Sequence, residues 1–196
     1  MNTKPVKKTN VLYLLLTILV PIALIAGLGY IGFAFFRDGG TGAVVCFMAP
    51  TAVSVVWWIF GPTTIWRLKR NKMEKDLDAQ GFNRNQTFYG GNQTVVVDIK
   101  QGKVALLFFW NPFEMYVQPA SRIKKAWTDD GAGGAGFMRG TSRVRFGFQI
   151  DDVRVLVNTF TSNQRWKMDD PKILDAISKA DMMCQVLDAA KQASRE

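Results

Sequence analysis

The chain contains no histidine. That removes the commonest general base, the Ser–His and Cys–His nucleophile pairs, and the usual zinc and haem ligands. Cysteine is nearly as scarce. Cys46 lies in an apolar run and Cys184 on the apolar stripe of a predicted helix, so both read as small buried hydrophobes. Their spacing fits neither a disulfide framework nor a metal site. Charge is missing from two long stretches, Val11–Phe36 and Gly42–Trp66, whereas the rest of the chain is mixed like an ordinary soluble protein.

A helix needs roughly 20 mostly apolar residues to cross a hydrocarbon core about 30 Å thick. Both uncharged stretches clear that length. The first is too long for the apolar region of a signal peptide and lacks a small-x-small cleavage site, so it is expected to stay in the mature protein. Arg37-Asp38-Gly39-Gly40-Thr41 separates the runs, and so short a polar turn makes the helices antiparallel neighbours. Pro21, Pro50 and Pro62 lie inside the runs, where membrane helices tolerate them. Ala23 with Gly27, and Gly29 with Gly32, offer close backbone approach within the hairpin. No charged side chain interrupts either span, so the pair reads as an anchor and not as an ion path.

The net charge of +9 is unevenly placed. Residues 1–75 hold nine Lys/Arg against Asp38 and Glu74, whereas residues 76–196 hold sixteen Lys/Arg against fourteen Asp/Glu. A nucleic-acid binder carries its basic excess on the folded domain, so nucleic acid is not an expected partner. The cations cluster beside the apolar runs instead: Lys4, Lys7 and Lys8 before the first, and Arg67, Lys69, Arg70, Lys72 and Lys75 after the second. By the positive-inside rule both termini and the soluble domain are cytoplasmic, in the inner membrane, and only the turn near 37–41 faces outward. The basic segment after the second run is also a candidate contact for anionic headgroups.

The expected organisation is a membrane unit over residues 1–80, with helices at about 11–36 and 42–66 and a charged helical extension ending before Gly81. A soluble domain occupies 81–196. There the hydrophobic period changes to two. Thr94–Ile99 and Lys103–Trp110 form a predicted hairpin around Gln101-Gly102, broken by Pro112, with a short strand at Glu114–Val117 and another at Ile123–Thr128. Val144, Phe146, Phe148 and Ile150 alternate with Arg143, Arg145, Gly147 and Gln149, then turn at Asp151-Asp152 into Val153, Val155 and Val157. One face of that hairpin is predicted to be buried and the other wet. A helix over 171–192 begins with Asp169 or Asp170 as cap and Pro171 at its first position. Its apolar stripe is Ile173, Ile177, Ala180, Cys184 and Leu187, broadened by Leu174, Met183 and Val186.

The Val95–Asp98 strand with its Gln101-Gly102 hairpin, the Ile123–Thr128 strand, the 143–157 hairpin and the 171–192 helix together resemble bacterial PH-like domains anchored by two N-terminal transmembrane helices. The resemblance covers about half the chain as a pattern of elements. It implies an α+β protein in which a transmembrane hairpin precedes an antiparallel sheet or partly open barrel with a C-terminal amphipathic helix. It further implies a binding or scaffolding module and not an enzyme, and no site residue carries over from it.

Motifs that suggest chemistry have simpler explanations. Gly131 to Gly136 matches G-x-G-x-x-G, but Phe137 to Thr141 lead from it into a strand and not into the helix N-terminus a dinucleotide fold requires. Asp129-Asp130, Asp151-Asp152 and Asp169-Asp170 fall where turns and caps are expected. Asn85-Gln86-Thr87 and Asn92-Gln93-Thr94 match glycosylation acceptors, which are idle on the cytoplasmic side. No catalytic, cofactor or metal site is expected. The candidate partner or headgroup contacts are Arg67, Lys69, Arg70, Lys72 and Lys75, together with Arg139, Arg143 and Arg145 beside the glycine-rich loop. The expected function is that of a membrane-anchored interaction module for a protein partner. A structural subunit of a larger membrane or secretion complex and a headgroup-binding domain are the alternatives.

Overall fold

The computed structural model describes residues 5–35, 41–84, 86–133 and 140–195. The protein is α+β: two long apolar helices, two antiparallel sheets and a C-terminal helix. It divides into two compact units. One is residues 7–73 with 109–113; the other is residues 1–6, 74–108 and 114–196.

In the first unit, α1 (Val11–Phe35) lies against α2 (Thr41–Ala79), whose residues up to Met73 belong here. Arg37 to Gly40 of the expected turn fall outside the described residues. The two helices touch where side chains are smallest. A Cβ on Gly32 would lie 2.7 Å from the Cβ of Cys46, and one on Gly29 would lie 3.4 Å from the Phe47 ring. Glycine therefore sets the approach of the pair.

Pro21 has no N–H to give to the carbonyl of Thr17, one turn earlier. That carbonyl accepts instead from the indole N–H of Trp58 on α2, at 3.2 Å. Ser54 donates its hydroxyl to the carbonyl of Pro21, also at 3.2 Å. The rung that proline deletes from one helix is thus supplied by the other. Trp58→Phe keeps the aromatic bulk and removes the donor. It is expected to weaken the hairpin by roughly 0.5–2 kcal/mol, the range of polar contacts between membrane helices. A double-mutant cycle with Ser54→Ala, read by denaturant unfolding in detergent, checks this.

The second unit begins in the last turns of α2, which stop at a Schellman motif. Phe82 N–H bonds to Leu77 O at 3.0 Å, Gly81 N–H bonds to Asp78 O at 2.9 Å, and Gly81 takes φ +73°. Leu77 and Phe82, which such a motif brings together, are both buried. Arg84 closes the corner with a forked pair to Asp78 and a 2.9 Å contact to Glu74.

Four strands come next, in sequential order in one sheet: β1 (Gln86–Gly90), β2 (Gln93–Asp98), β3 (Lys103–Phe108) and β4 (Asn111–Pro119). A 3-10 turn over Ala120–Arg122 leads to the second sheet, β5 (Ile123–Asp129), β6 (Gly140–Ile150) and β7 (Val153–Lys167). Asp98 is buried at the corner between β2 and β3, and its carboxylate accepts from the backbone N–H groups of Asn83 and Gln101. The core lies between the sheets, where Phe88, Val95, Leu106, Phe146, Phe148 and Val155 meet. The helix α3 (Pro171–Ala193) closes it with Ile173, Ala176, Ala180, Met183, Leu187 and Ala190. Asp170 is its cap, accepting from Lys172 N–H at 2.9 Å.

Four expectations need correction. β1 lies in a segment where the pattern predicts no strand. Pro112 does not break the strand after β3, because the chain enters β4 at Asn111 and passes straight through it. β3 ends at Phe108 and not at Trp110, and β7 runs on to Lys167. On α3, Ile177 and Cys184 are only half-buried and Leu174 is exposed, while Ala176 and Ala190, outside the expected stripe, are buried.

Candidate interaction face

The pairing register of β5, β6 and β7 builds the outer face of the three-stranded sheet row by row. Lys125, Gln149 and Arg154 form one row; Trp127, Gly147 and Leu156 the next; Asp129, Arg145 and Asn158 the third; Arg143 and Thr161 lie beyond. The intervening residues, Val144, Phe146, Phe148, Val155 and Val157, turn inward and are buried. Two of the cations expected as contacts, Arg143 and Arg145, therefore share this face. Arg139 lies outside the described residues.

Trp127 is the centre of the face. Its indole lies on Gly147: a Cβ there would come within 2.6 Å of the ring, so only glycine lets the ring settle against the β6 backbone. The guanidinium of Arg154 lies 4.7 Å from the ring centroid, a cation–π arrangement. The aromatic ring is thus held between glycine and arginine, with Leu156 beside it on β7. Trp127 and Leu156 remain half-exposed. Tryptophan and arginine held rigid and accessible are the side chains that dominate protein-binding surfaces.

Arg145 is committed inside the protein. Its guanidinium pairs with Asp129, and both side chains are largely covered, at 20% and 26% exposure. Burial alone would push the Asp129 carboxyl up, but hydrogen bonds from Arg145 and from Gly131 N–H outweigh it and hold the carboxyl below its ordinary range. The lowered value means that the folded state favours the ionised form. This stabilisation is complete above the usual aspartate range, near pH 4, and is lost as pH falls through the lowered folded value. Arg145→Gln is expected to cost about 1 kcal/mol at pH 7, and progressively less as pH falls below the usual aspartate range, near pH 4. Denaturation midpoints measured across that range test both parts. Arg143, by contrast, is exposed.

No family model, curated protein or solved structure matches the chain.

The remaining expected contacts lie on α2. Arg67, Lys69, Arg70 and Lys72 belong to the first unit and Lys75 to the second. At about 100° per residue these five cations ring the whole circumference of the helix and share no single face. Arg67, Lys72 and Lys75 are exposed, whereas Lys69 and Arg70 are half-buried, with the Lys69 ammonium 5.2 Å from the Phe113 ring centroid. A ring of charge suits headgroups arriving from every side better than a partner docking on one stripe. Cys184 lies beside β5, with its sulfur 3.9 Å from the Thr128 hydroxyl, and burial pushes its thiol pKa up, away from the reactive thiolate.

Trp127, Leu156 and Arg154 are not among the contacts expected from the sequence. A tryptophan within a strand pattern carries no sign of its exposure. The glycine and arginine that frame it come from different strands and meet only through the register.

Proposed function

We infer that the chain is an integral protein of the bacterial inner membrane. In this reading a two-helix anchor carries a cytoplasmic PH-like domain that recognises a protein partner without catalysing a reaction. Membrane insertion is supported by how little of the helices is covered. Of the most apolar stretch of each, only 17% is buried in α1 and 11% in α2. The core helix of a soluble protein would be mostly buried. Large side chains such as Phe33, Phe35, Val53 and Phe60 are exposed along these helices, and apolar surface of that extent needs lipid around it. The ring of cations at the end of the span supports the cytoplasmic assignment. The PH-like reading is supported by four strands, three strands and a closing helix in that order.

The observation that carries the interaction reading is Trp127, held half-exposed between Gly147 and Arg154 with Leu156 beside it on a mostly polar sheet face. A photo-crosslinking amino acid placed at Leu156 of the full chain in native membranes tests it. The expected result is one discrete protein adduct, reduced about ten-fold or more by Arg154→Ala, and none from the same probe at Lys179 on the exposed side of α3. Adducts to lipid alone would favour headgroup recognition. Equal labelling at both positions would remove the face from consideration.

A further inference from the structure

Phe109–Phe113, reading Phe-Trp-Asn-Pro-Phe, joins β3 to β4, yet it belongs to the helical unit and not to the unit of the sheets. Its first and last side chains each lie on an aromatic ring of a helix. Phe109 meets Trp66 of α2 edge-on with centroids 6.1 Å apart, and Phe113 meets Tyr13 of α1 edge-on at 5.4 Å.

Trp66 ends one uncharged run, and Tyr13 stands close to the start of the other. If the helices span a bilayer, these are the places where amphipathic rings settle between headgroups and hydrocarbon. Both rings are nevertheless buried, at 5% and 7% exposure. The rings of the turn lie over them and occupy the same level. The outermost ring of the turn is left open, because Phe113 is 52% exposed.

The backbone of the turn suits a place with little water. Pro112 has no N–H to leave open. The carbonyl of Trp110 accepts from Asn10 N–H at 2.8 Å. The buried Asn111 donates its side-chain amide to the carbonyl of Lys7 at 3.1 Å. Asn10 accepts in turn from Tyr13 N–H, also at 3.1 Å, at the start of α1. The turn is thus tied to the chain around α1 by its polar groups, as irregular backbone close to hydrocarbon has to be.

The charges near Phe113 match an anionic surface. The Lys69 ammonium lies 5.2 Å from the ring centroid, and Arg67 and Lys72 are exposed on the same stretch of α2. A phenyl ring directed to acyl chains and an ammonium directed to phosphates complement a bilayer boundary together. Glu114, the next residue, is turned the opposite way by strand alternation, and it accepts from the Tyr116 hydroxyl.

We propose that the Phe109–Phe113 turn is a lipid contact in its own right, with Phe113 seated at the headgroup boundary of the bilayer and Lys69 beside it on anionic headgroups. The proposal rests on the reading of α1 and α2 as membrane spans, and the test separates the two.

The full chain, with Cys46→Ala and Cys184→Ala, is placed in vesicles of phosphatidylethanolamine and phosphatidylglycerol and carries one nitroxide at a time. The labels stand at Phe113→Cys, at Val53→Cys on the exposed side of α2, and at Lys179→Cys on the exposed side of α3. Collision with oxygen, which concentrates in hydrocarbon, is compared with collision with a water-soluble nickel chelate. At Phe113→Cys the expected nickel collision is several-fold lower than at Lys179→Cys. Oxygen collision there should fall between the values at Lys179→Cys and Val53→Cys. Equal nickel collision at Phe113→Cys and Lys179→Cys, with Val53→Cys shielded, overturns the proposal and leaves the spans standing. Low collision with both reagents at Phe113→Cys means that protein covers the ring, and overturns it as well. A Val53→Cys label open to nickel overturns both readings.

A second measurement leaves the turn unaltered. Phosphatidylglycerol carrying a diazirine near the acyl carbonyl is photolysed in the same vesicles, and the tryptic peptides are mapped. Cleavage after Lys103 and Arg122 isolates the turn. Adducts are expected within Phe109–Phe113 and none between Ile173 and Lys179. A turn without adducts beside labelled helices would sink the proposal, whatever the nitroxide variants show.

Discussion

Replacing Leu187 with alanine is expected to lower the stability of the β-sheet domain by about 2–5 kcal/mol, the range for a large aliphatic side chain removed from a closed core. Leu187 is fully buried, on the same side of α3 as Ile173, Ala180 and Ala190. Ile177→Ala should cost clearly less, because Ile177 is half-exposed at the rim of a groove beside β5. Lys179→Ala should cost roughly 0.5 kcal/mol or less, since Lys179 makes only an exposed pair with Asp175 one turn earlier. Urea unfolding of the full chain in detergent orders the three variants. Equal, small losses from Leu187 and Lys179 would mean that α3 is not part of the core.

The second large effect is expected at Gly102, in the turn between β2 and β3. Gly102 takes φ +59°, and a Cβ there would lie 2.5 Å from the Cα and 2.6 Å from the backbone nitrogen of Ser194, at the end of α3. Both obstacles are main chain and cannot rotate aside. Gly102 O also accepts from Ala120 N–H at 2.7 Å, so the turn cannot shift without losing that bond. Valine combines the left-handed backbone, about 1–2 kcal/mol for a residue with a Cβ, with overpacking of about 1–3 kcal/mol. Gly102→Val is therefore expected to cost about 2–5 kcal/mol in the same unfolding measurement. Gly91→Ala is the matched control: nothing lies within 4 Å of its would-be Cβ, and its effect should stay within about 0.5 kcal/mol.

The elements legible in the sequence are those whose pattern repeats over several turns or rows. The two uncharged runs can be nothing but long apolar helices. The alternation from Arg143 to Val157 can only be a hairpin with one buried face. The segment that forms β1 carries no such signal: among Gln86, Thr87, Phe88, Tyr89 and Gly90 only Phe88 is buried, so no alternation can show. Pro112 misleads because a proline close to a strand pattern reads as a break in mid-sheet. It is the second residue of a strand that ends its sheet, where a missing N–H is tolerated. On α3 the expected stripe is right at Ile173, Ala180, Met183 and Leu187 and misses Ala176 and Ala190, because hydrophobicity favours isoleucine over alanine. The helix packs closely through Ala176, Ala180 and Ala190, whose small size matters more there than their apolarity.

The expected contacts divide in the same way. Charged residues beside an apolar run or alternating along a strand are visible as charges, so Arg67 to Lys75 and the pair Arg143 and Arg145 are readily picked out. Their commitments are not visible. That Arg145 already serves Asp129, and that Arg154 covers Trp127, depends on which residues face one another across strands. Nothing short of the register supplies that.

The bond from Trp58 to Thr17 carries a consequence for how the chain is made. On the reading of α1 and α2 as membrane spans, α1 leaves the ribosome first with one carbonyl that its own backbone cannot satisfy. In hydrocarbon such a group is costly to leave open. The matching donor lies forty-one residues later in the chain, so α1 alone is an unfinished segment during synthesis. A membrane-insertion machinery that released α1 before α2 arrived would release it at its least stable. The two helices are then best regarded as a single cargo, handed to the bilayer together, and a ribosome stalled between them would leave a nascent chain prone to slip back out.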